Sequence, residues 1–203
     1  MIRSLQELEQ KVLGLKKRHR IAVAWGQDIN TIGALYKAVK KGFAEGILIG
    51  KQSEIVKSCE VLGLNHKTFK IIESENETRA SEEAVSLVKT GGADILMKGL
   101  VGTDKYLKAV MDKERGLMLP NAVLTYVGVM EIPAYHKLLF ITDPAVIPFP
   151  DLDQKVAMAG YAIDMADKFG VKKPKVALIG ASEKMSSHFS NSVDYAIMCK
   201  MAD

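Results

Sequence analysis

The chain of 203 residues contains only two cysteines and no apolar run long enough to cross a membrane. Cys59 and Cys199 have no other cysteine or histidine nearby at the spacing of metal ligands. We therefore expect buried thiols in a reducing compartment, with neither a disulfide framework nor a structural zinc site. A membrane-spanning helix needs about 20 consecutive apolar residues, so no membrane partner is expected. The N-terminus does not resemble a secretion signal, which favours a cytoplasmic location.

Several nucleotide-binding and hydrolase motifs are also missing. No Gly-x-Gly-x-x-Gly follows the first apolar run, so a standard dinucleotide site is excluded. Residues 99–105 lack the order of a phosphate-binding P-loop, and the absence of Gly-x-Ser-x-Gly argues against an α/β-hydrolase. The net charge of +4 is mild and the basic residues are scattered. We therefore expect no nucleic-acid partner.

What the sequence contains is an alternation of strand and helix patterns. Short apolar runs typical of buried strands occur at residues 21–25, 46–50, 68–72 and 94–97. Amphipathic helical patterns lie between them. This alternation predicts a mainly parallel sheet with helices on both faces, a three-layer α/β/α fold. Two further runs, at residues 123–132 and 137–142, follow each other without a helix, which predicts an antiparallel pair.

A proline-rich segment marks the predicted domain boundary. Residues 144–150 contain three prolines and precede a long helical pattern over residues 151–169. We predict an N-terminal α/β domain over residues 1–143 and the start of a second α/β domain over residues 144–203. In that second part, residues 175–180 are typical of a buried strand. The last helical pattern is still running where the chain stops, so we expect this domain to be cut off within an element.

Residues 92–103 form the most distinctive motif, because an apolar run ends in Lys98 and two glycines before a helix begins. In open α/β sheets, ligands bind at the carboxyl ends of the strands. The helix that follows would add backbone N–H groups and a positive dipole end, both of which suit phosphate. Thr103 is positioned to cap that helix. Taken alone, the motif is more typical of an ordinary strand-to-helix turn with a solvated lysine.

Four segments, in order along the chain, closely resemble phosphate butyryltransferases of the phosphate acetyl/butyryltransferase family. They are residues 93–99 (Ala-Asp-Ile-Leu-Met-Lys-Gly), 131–143 (Glu-Ile-Pro-Ala-Tyr-His-Lys-Leu-Leu-Phe-Ile-Thr-Asp), 150–155 (Pro-Asp-Leu-Asp-Gln-Lys) and 175–184 (Lys-Val-Ala-Leu-Ile-Gly-Ala-Ser-Glu-Lys). The resemblance covers nearly the whole chain. It accounts for only the first part of a family member, and we expect the C-terminal third to be absent.

The resemblance implies an enzyme that moves a butyryl or acetyl group between coenzyme A and inorganic phosphate. It implies a homodimer of two-domain subunits, similar in fold to the isocitrate and isopropylmalate dehydrogenases, with the active site in the cleft between domains. Acyl-CoA, inorganic phosphate and acyl phosphate would be the substrates, without a metal or a tightly bound cofactor. The family's catalytic arginine and aspartate belong to the absent segment, so no catalytic residue is assigned.

The implied reaction has a thiol attack an acyl-phosphate carbonyl, which needs cations around phosphate and donors for the oxyanion. Polar residues and glycines near predicted strand ends are the candidates for substrate binding: Lys98, Gly99, Gly102, Thr103, Thr125, Asp143, Ser182 and Lys184. Asp143 is more typical of a turn or helix cap. Ser182 and Lys184 are equally typical of a polar turn.

Two departures from the family pattern leave other functions open. Thr125 and Tyr126 stand where similar proteins have Ser-His, and Met118 stands where Gly-Leu is usually followed by arginine. Losing an arginine weakens anion binding because a forked donor is removed. One alternative is a relative that binds an acyl phosphate or coenzyme ligand without turnover. Another is a dehydrogenase of the same fold, although its acidic metal cluster and nicotinamide site are not visible in the sequence.

Overall fold

A computed structural model describes residues 1–180, 182, 184, 186 and 188–202. The chain divides into two compact units. The first, the sheet unit, is Glu9–Ala122. The second, the ribbon unit, is Met1–Leu8 together with Val123–Asp203. The division into domains at residues 1–143 and 144–203 remains a prediction.

The sheet unit contains a four-stranded parallel sheet. In chain order its strands are β1 (His19–Ala24), β2 (Ala44–Gly50), β3 (Lys70–Glu73) and β4 (Ile95–Lys98). Their order across the sheet is β3-β2-β1-β4, and each neighbouring pair is parallel. The predicted α/β fold with a mainly parallel sheet is thus confirmed.

Helices precede, connect and follow these strands. They are α1 (Leu5–Gly14), which begins in the ribbon unit, α2 (Ile29–Lys41), α3 (Gln52–Val61), α4 (Glu77–Lys89) and α5 (Thr103–Val110). The Asp28 side chain caps α2 by accepting hydrogen bonds from the N–H groups of Asn30 and Thr31. The helix ends at Gly42, whose φ of 90° is one that glycine adopts without strain.

Both faces of the sheet are buried. One core contains alternate residues of β1 and β2 packed against α4 and Val101: Ala22, Ala24, Ile47, Ile49, Ala80, Ala84 and Val101. The other contains the intervening strand residues packed against α2 and α3: Val23, Leu48, Ile32, Leu35, Ile55 and Cys59. Successive side chains of a strand point to opposite faces. Helices therefore cover the sheet on both sides, as the continuous apolar runs of β1 and β2 predict.

The ribbon unit contains a two-stranded antiparallel ribbon of β5 (Gly128–Met130) and β6 (Leu139–Ile141). The antiparallel pairing is confirmed, although the strands are shorter than predicted. Two helices follow, α6 (Leu152–Lys168) and α7 (Ser190–Met201). α6 begins with a reciprocal capping box between Asp151 and Gln154. Among the described helices, none is long and apolar enough to span a bilayer.

Residues 175–180 do not form the predicted strand. A strand is defined by hydrogen bonds to a neighbour, and the apolar pattern of this segment reports a tendency to be buried without supplying that neighbour. Val176 is 52% exposed and Ile179 is 81% exposed. The prediction of a strand from the apolar pattern of these residues is therefore wrong.

Candidate functional site

The carboxyl end of β4 lies beside that of β1, where the strand order reverses. The chain builds β1, β2 and β3 in one direction across the sheet and then places β4 on the other side of β1. The crevice outside the carboxyl ends at such a switch point is the usual ligand site of open α/β sheets. Lys98 ends β4, is in register with Ala24 at the end of β1, and is exposed. A solvent-accessible ammonium thus lies at the switch point.

The backbones that leave β1 and β4 approach each other closely at this point. The Gly99 N–H donates to the Ala24 carbonyl at 2.9 Å, and the Leu100 N–H donates to the Trp25 carbonyl at 3.1 Å. A Cβ on Gly99 would lie 2.7 Å from the Ala24 oxygen and 2.6 Å from the Trp25 oxygen. Trp25 itself has a φ of 56°, which is unusual for a bulky side chain. The close backbone approach explains why position 99 requires glycine.

The start of α5 differs from the prediction. Thr103 is the first residue of the helix, and the N-cap is Gly102, which has no capping side chain. The Gly102 N–H instead donates to Glu77 Oε2 at 2.9 Å, and the Lys105 ammonium donates to Glu77 Oε1. The prediction of a Thr103 cap is therefore wrong, because a carboxylate from α4 serves this helix start. Sequence reasoning missed Glu77.

The contacts of Glu77 favour its charged form. The hydrogen bond from Lys105, followed by that from the Gly102 backbone, lowers the pKa of the Glu77 carboxyl. In return, the hydrogen bond with Glu77 raises the pKa of the Lys105 ammonium. Both side chains are substantially accessible to water, so their ion pair contributes little to stability. A carboxylate is nevertheless present at the helix start at neutral pH.

In the ribbon unit, two predicted site residues meet. Asp143 Oδ2 accepts from the Thr125 hydroxyl at 2.7 Å and the Tyr126 N–H at 3.1 Å. Asp143 Oδ1 accepts from the N–H groups of Ala145 at 2.7 Å and Val146 at 2.8 Å. Burial alone would raise the pKa of Asp143, but these hydrogen bonds outweigh it and lower the pKa from 3.8 to about 2. Asp143 is thus a charged acceptor that holds a turn.

The bond to Asp143 limits what Thr125 can offer to a ligand. A threonine hydroxyl has one hydrogen and two lone pairs. Because that hydrogen is directed to Asp143, only the oxygen lone pairs remain for other partners, and the Thr142 hydroxyl lies 3.4 Å from that oxygen. Thr125 in this arrangement suits a ligand donor, such as a thiol or an amide N–H, and does not suit a phosphate oxygen. Thr125 therefore suits a different ligand group from Lys98, whose ammonium suits an anion.

Ser182 and Lys184 contact each other. The Lys184 N–H donates to Ser182 Oγ at 3.1 Å, and both residues are exposed. This contact is the polar-turn alternative that the sequence left open. Substrate binding by these two residues stays a prediction. Within the described residues, no group of three or more histidine, cysteine, aspartate or glutamate side chains could hold a metal ion.

A cavity of about 790 Å³ lies within the ribbon unit, lined mainly by apolar side chains of β6, α6 and residues 171–179. Lys155 lies on its wall and is buried. The Lys155 ammonium donates to Asn191 Oδ1 at 2.7 Å and to Asp194 Oδ2 at 2.5 Å. This polar cluster links α6 to α7. The sequence pattern gave no sign of it, because its members are widely separated along the chain.

Comparison with known proteins identifies the family of the chain. A family model described as Phosphate acetyl/butaryl transferase matches residues 3–86 and 79–203. The chain belongs to this family. Relatives in the phosphate acetyl/butaryl transferase family include the phosphate butyryltransferase of Clostridium acetobutylicum, 36% identical over 203 residues, with 100% of this chain and 67% of that protein covered. The phosphate acetyltransferase of Thermotoga maritima is 34% identical over 197 residues, covering 97% and 66%.

Two solved structures have a similar fold. A branched-chain phosphotransacylase from Enterococcus faecalis has a TM-score of 0.77 at 26% identity, with 91% of this chain and 64% of that one covered. A phosphotransacetylase from Streptococcus pyogenes has a TM-score of 0.72 at 16% identity, covering 98% and 70%, and shows the fold alone. The chain spans about two thirds of the length of the curated relatives it matches.

Proposed function

We propose that this protein moves a short-chain acyl group, butyryl or acetyl, between coenzyme A and inorganic phosphate. Family membership over the whole chain supports this activity, as do relatives named phosphate butyryltransferase and phosphate acetyltransferase. The proposal carries their reaction to a chain that covers 67% of the length of one and 66% of the other. Acyl-CoA, inorganic phosphate and acyl phosphate are the proposed substrates.

The observation that carries the proposal is the position of Lys98 at the switch point of the sheet. Inorganic phosphate and the acyl-phosphate product are both anions, so a nearby ammonium lowers the energy of binding either of them. Lys98 is exposed and its strand ends beside β1. We assign Lys98 to phosphate, with Gly99 allowing the close backbone approach beneath it. Gly102 and Thr103 complete the loop.

The remaining assignments follow from the family. We propose that Thr125, held by Asp143, faces the thiol of coenzyme A, and that Ser182 and Lys184 bind a further part of the substrates. Coenzyme A is a substrate and not a bound cofactor, and no metal takes part. A cytoplasmic homodimer is the proposed state, supported by the resemblance of the chain to this family.

The experiment measures release of free coenzyme A from butyryl-CoA and acetyl-CoA, with and without inorganic phosphate, using a thiol reagent. Lys98→Met should raise the KM for phosphate about tenfold, the effect of removing one charged hydrogen bond of about 1.5 kcal/mol. Lys108→Met is the matched control, since Lys108 is an exposed lysine of α5 with no ion pair among the described residues.

The outcomes separate the candidate functions. Phosphate-dependent release that weakens in Lys98→Met and not in Lys108→Met supports the proposal. Phosphate or coenzyme A binding without turnover, measured by calorimetry, would favour a non-catalytic relative, which the methionine at position 118 also suggests. If the protein shows no binding and no turnover, both candidate functions are overturned.

A further inference from the structure

Glu77 connects two segments that the sequence does not relate. It lies in the first turn of α4, yet its carboxylate accepts the Gly102 N–H at 2.9 Å. Its second oxygen accepts from the Lys105 ammonium in the first turn of α5. One carboxylate therefore holds both the N-cap and the first turn of the helix that follows Lys98.

The loop of residues 98–102 is held by hydrogen bonds at both ends, and Glu77 accepts the bond at the helix end. At the β4 end, the N–H groups of Gly99 and Leu100 donate to the carbonyls of Ala24 and Trp25. At the helix end, Gly102 has no capping side chain of its own, and the nearby buried contact is that of Val101, which is 1% exposed. Glycine has more backbone freedom than any other residue. Without the carboxylate, this end of the loop keeps only the buried Val101 and the bond from the Tyr106 N–H to the Gly102 carbonyl, and the Gly102 N–H loses its partner.

We propose that Glu77 is a positioning residue for phosphate, one that holds the 98–102 loop so that the Lys98 ammonium faces the switch-point crevice. The proposal rests on the proposed function, because it concerns the same anion site. It also explains how phosphate would be excluded from the Gly102 N–H. Since a carboxylate already accepts that donor, the anion is confined to the side of the loop where Lys98 lies.

The two bonds of Glu77 are not equivalent in this role. The Lys105 side chain is 43% exposed, and an exposed ion pair contributes little to holding the loop in place. The bond to the Gly102 N–H instead holds the backbone directly, and a carboxylate acceptor makes it stronger than a neutral one. Removal of Glu77 should therefore disturb phosphate binding, whereas removal of Lys105 should not.

The experiment uses the full chain and inorganic phosphate, with the Gly99 and Gly102 amide signals followed by NMR during titration and the KM for phosphate measured in parallel. Glu77→Ala should raise both the Kd and the KM for phosphate about fivefold to tenfold, with kcat changed less than twofold. Glu77→Gln keeps an oxygen that can accept the Gly102 N–H and should recover most of the affinity. Lys105→Met and Glu82→Ala are the matched controls and should stay within about twofold of the unmodified chain.

Each outcome decides a separate point. If Glu77→Ala binds phosphate as tightly as the unmodified chain, or more tightly, the positioning role is overturned while the proposed function stands. An equal loss in Lys105→Met would also overturn it, because the ion pair would then be the cause. If Glu77→Ala does not fold, the recovery expected of Glu77→Gln decides the point. If the unmodified chain neither binds phosphate nor turns over substrate, the proposed function itself fails.

Discussion

Replacing Asp143 with asparagine should destabilise the ribbon unit by about 2 kcal/mol. The carboxylate accepts two hydrogen bonds at each oxygen, one from the Thr125 hydroxyl and three from backbone N–H groups. An asparagine has one oxygen, so its NH₂ group would face Thr125 and the Tyr126 N–H. The hydroxyl can turn and accept, but the N–H cannot. One backbone N–H therefore loses its acceptor, and the remaining hydrogen bonds go to a neutral oxygen in place of a charged one.

The pH dependence gives a sharper measurement. The pKa of Asp143 is lowered from 3.8 to about 2 in the folded chain. Its stabilisation is therefore fully present above about pH 4 and is lost as the pH falls towards 2. The difference in pKa corresponds to about 2 kcal/mol, and solvent screening reduces this contribution to about 1 kcal/mol. Asparagine does not titrate, so the gap in stability between the two proteins should narrow as the pH falls below 4.

Urea unfolding followed by circular dichroism at pH 7, 5, 4 and 3 measures this gap. Asp153→Asn is the control, because Asp153 is exposed in the same unit, in the first turn of α6. We expect the control to lie near the unmodified chain at each pH. A gap for Asp143→Asn that is as wide at pH 3 as at pH 7 would refute the reasoning. A loss in the free energy of unfolding at pH 7 that is no larger than the loss in Asp153→Asn would also refute it.

Three further results are expected. Gly99→Ala should lower the free energy of unfolding by about 1–3 kcal/mol, since its Cβ would overlap the Trp25 carbonyl oxygen. In Gly33→Ala, within α2, the added Cβ would meet only Leu62 Cδ1 at 4.0 Å, an ordinary contact, and the change should raise the free energy of unfolding by about 0.5–1 kcal/mol, as thermal unfolding would show. The expectation that both thiols are buried is wrong for Cys199, which is exposed. Iodoacetamide should therefore label Cys199 and spare the buried Cys59, whose thiol pKa is raised by burial. Equal labelling in native buffer, read by mass spectrometry, would contradict this.

Most of the sheet could be predicted because its strands are short apolar runs with helical patterns between them. β1 and β2 are buried on both faces, so they show no polar alternation, which is typical of a parallel sheet covered by helices. The same pattern over residues 175–180 gave a wrong strand. Apolar composition reports the tendency to be buried, whereas strand pairing depends on a neighbour that the local sequence does not contain.

The candidate site was predictable where its signal is local. Lys98 follows directly from the end of an apolar run, and the turn at Asp143 was one of the roles its position suggested. The contact between Glu77 and Gly102 was not predictable, since the two residues are 25 positions apart and belong to different helices. For the same reason Thr103 was wrongly expected to cap α5. Local sequence indicates a cap only when the capping group is a neighbour in the chain.

The exposed apolar side chains of residues 175–180 have a practical consequence for handling the protein. With Val176 about half exposed and Ile179 largely exposed, the segment offers apolar surface to any other chain that reaches it, and exposed apolar surface of this kind promotes aggregation. Lys173 and Pro174 immediately before it are the kinds of residue that act as gatekeepers against stacking. Aggregation should therefore increase with protein concentration, and replacing Lys173 and Pro174 should hasten precipitation.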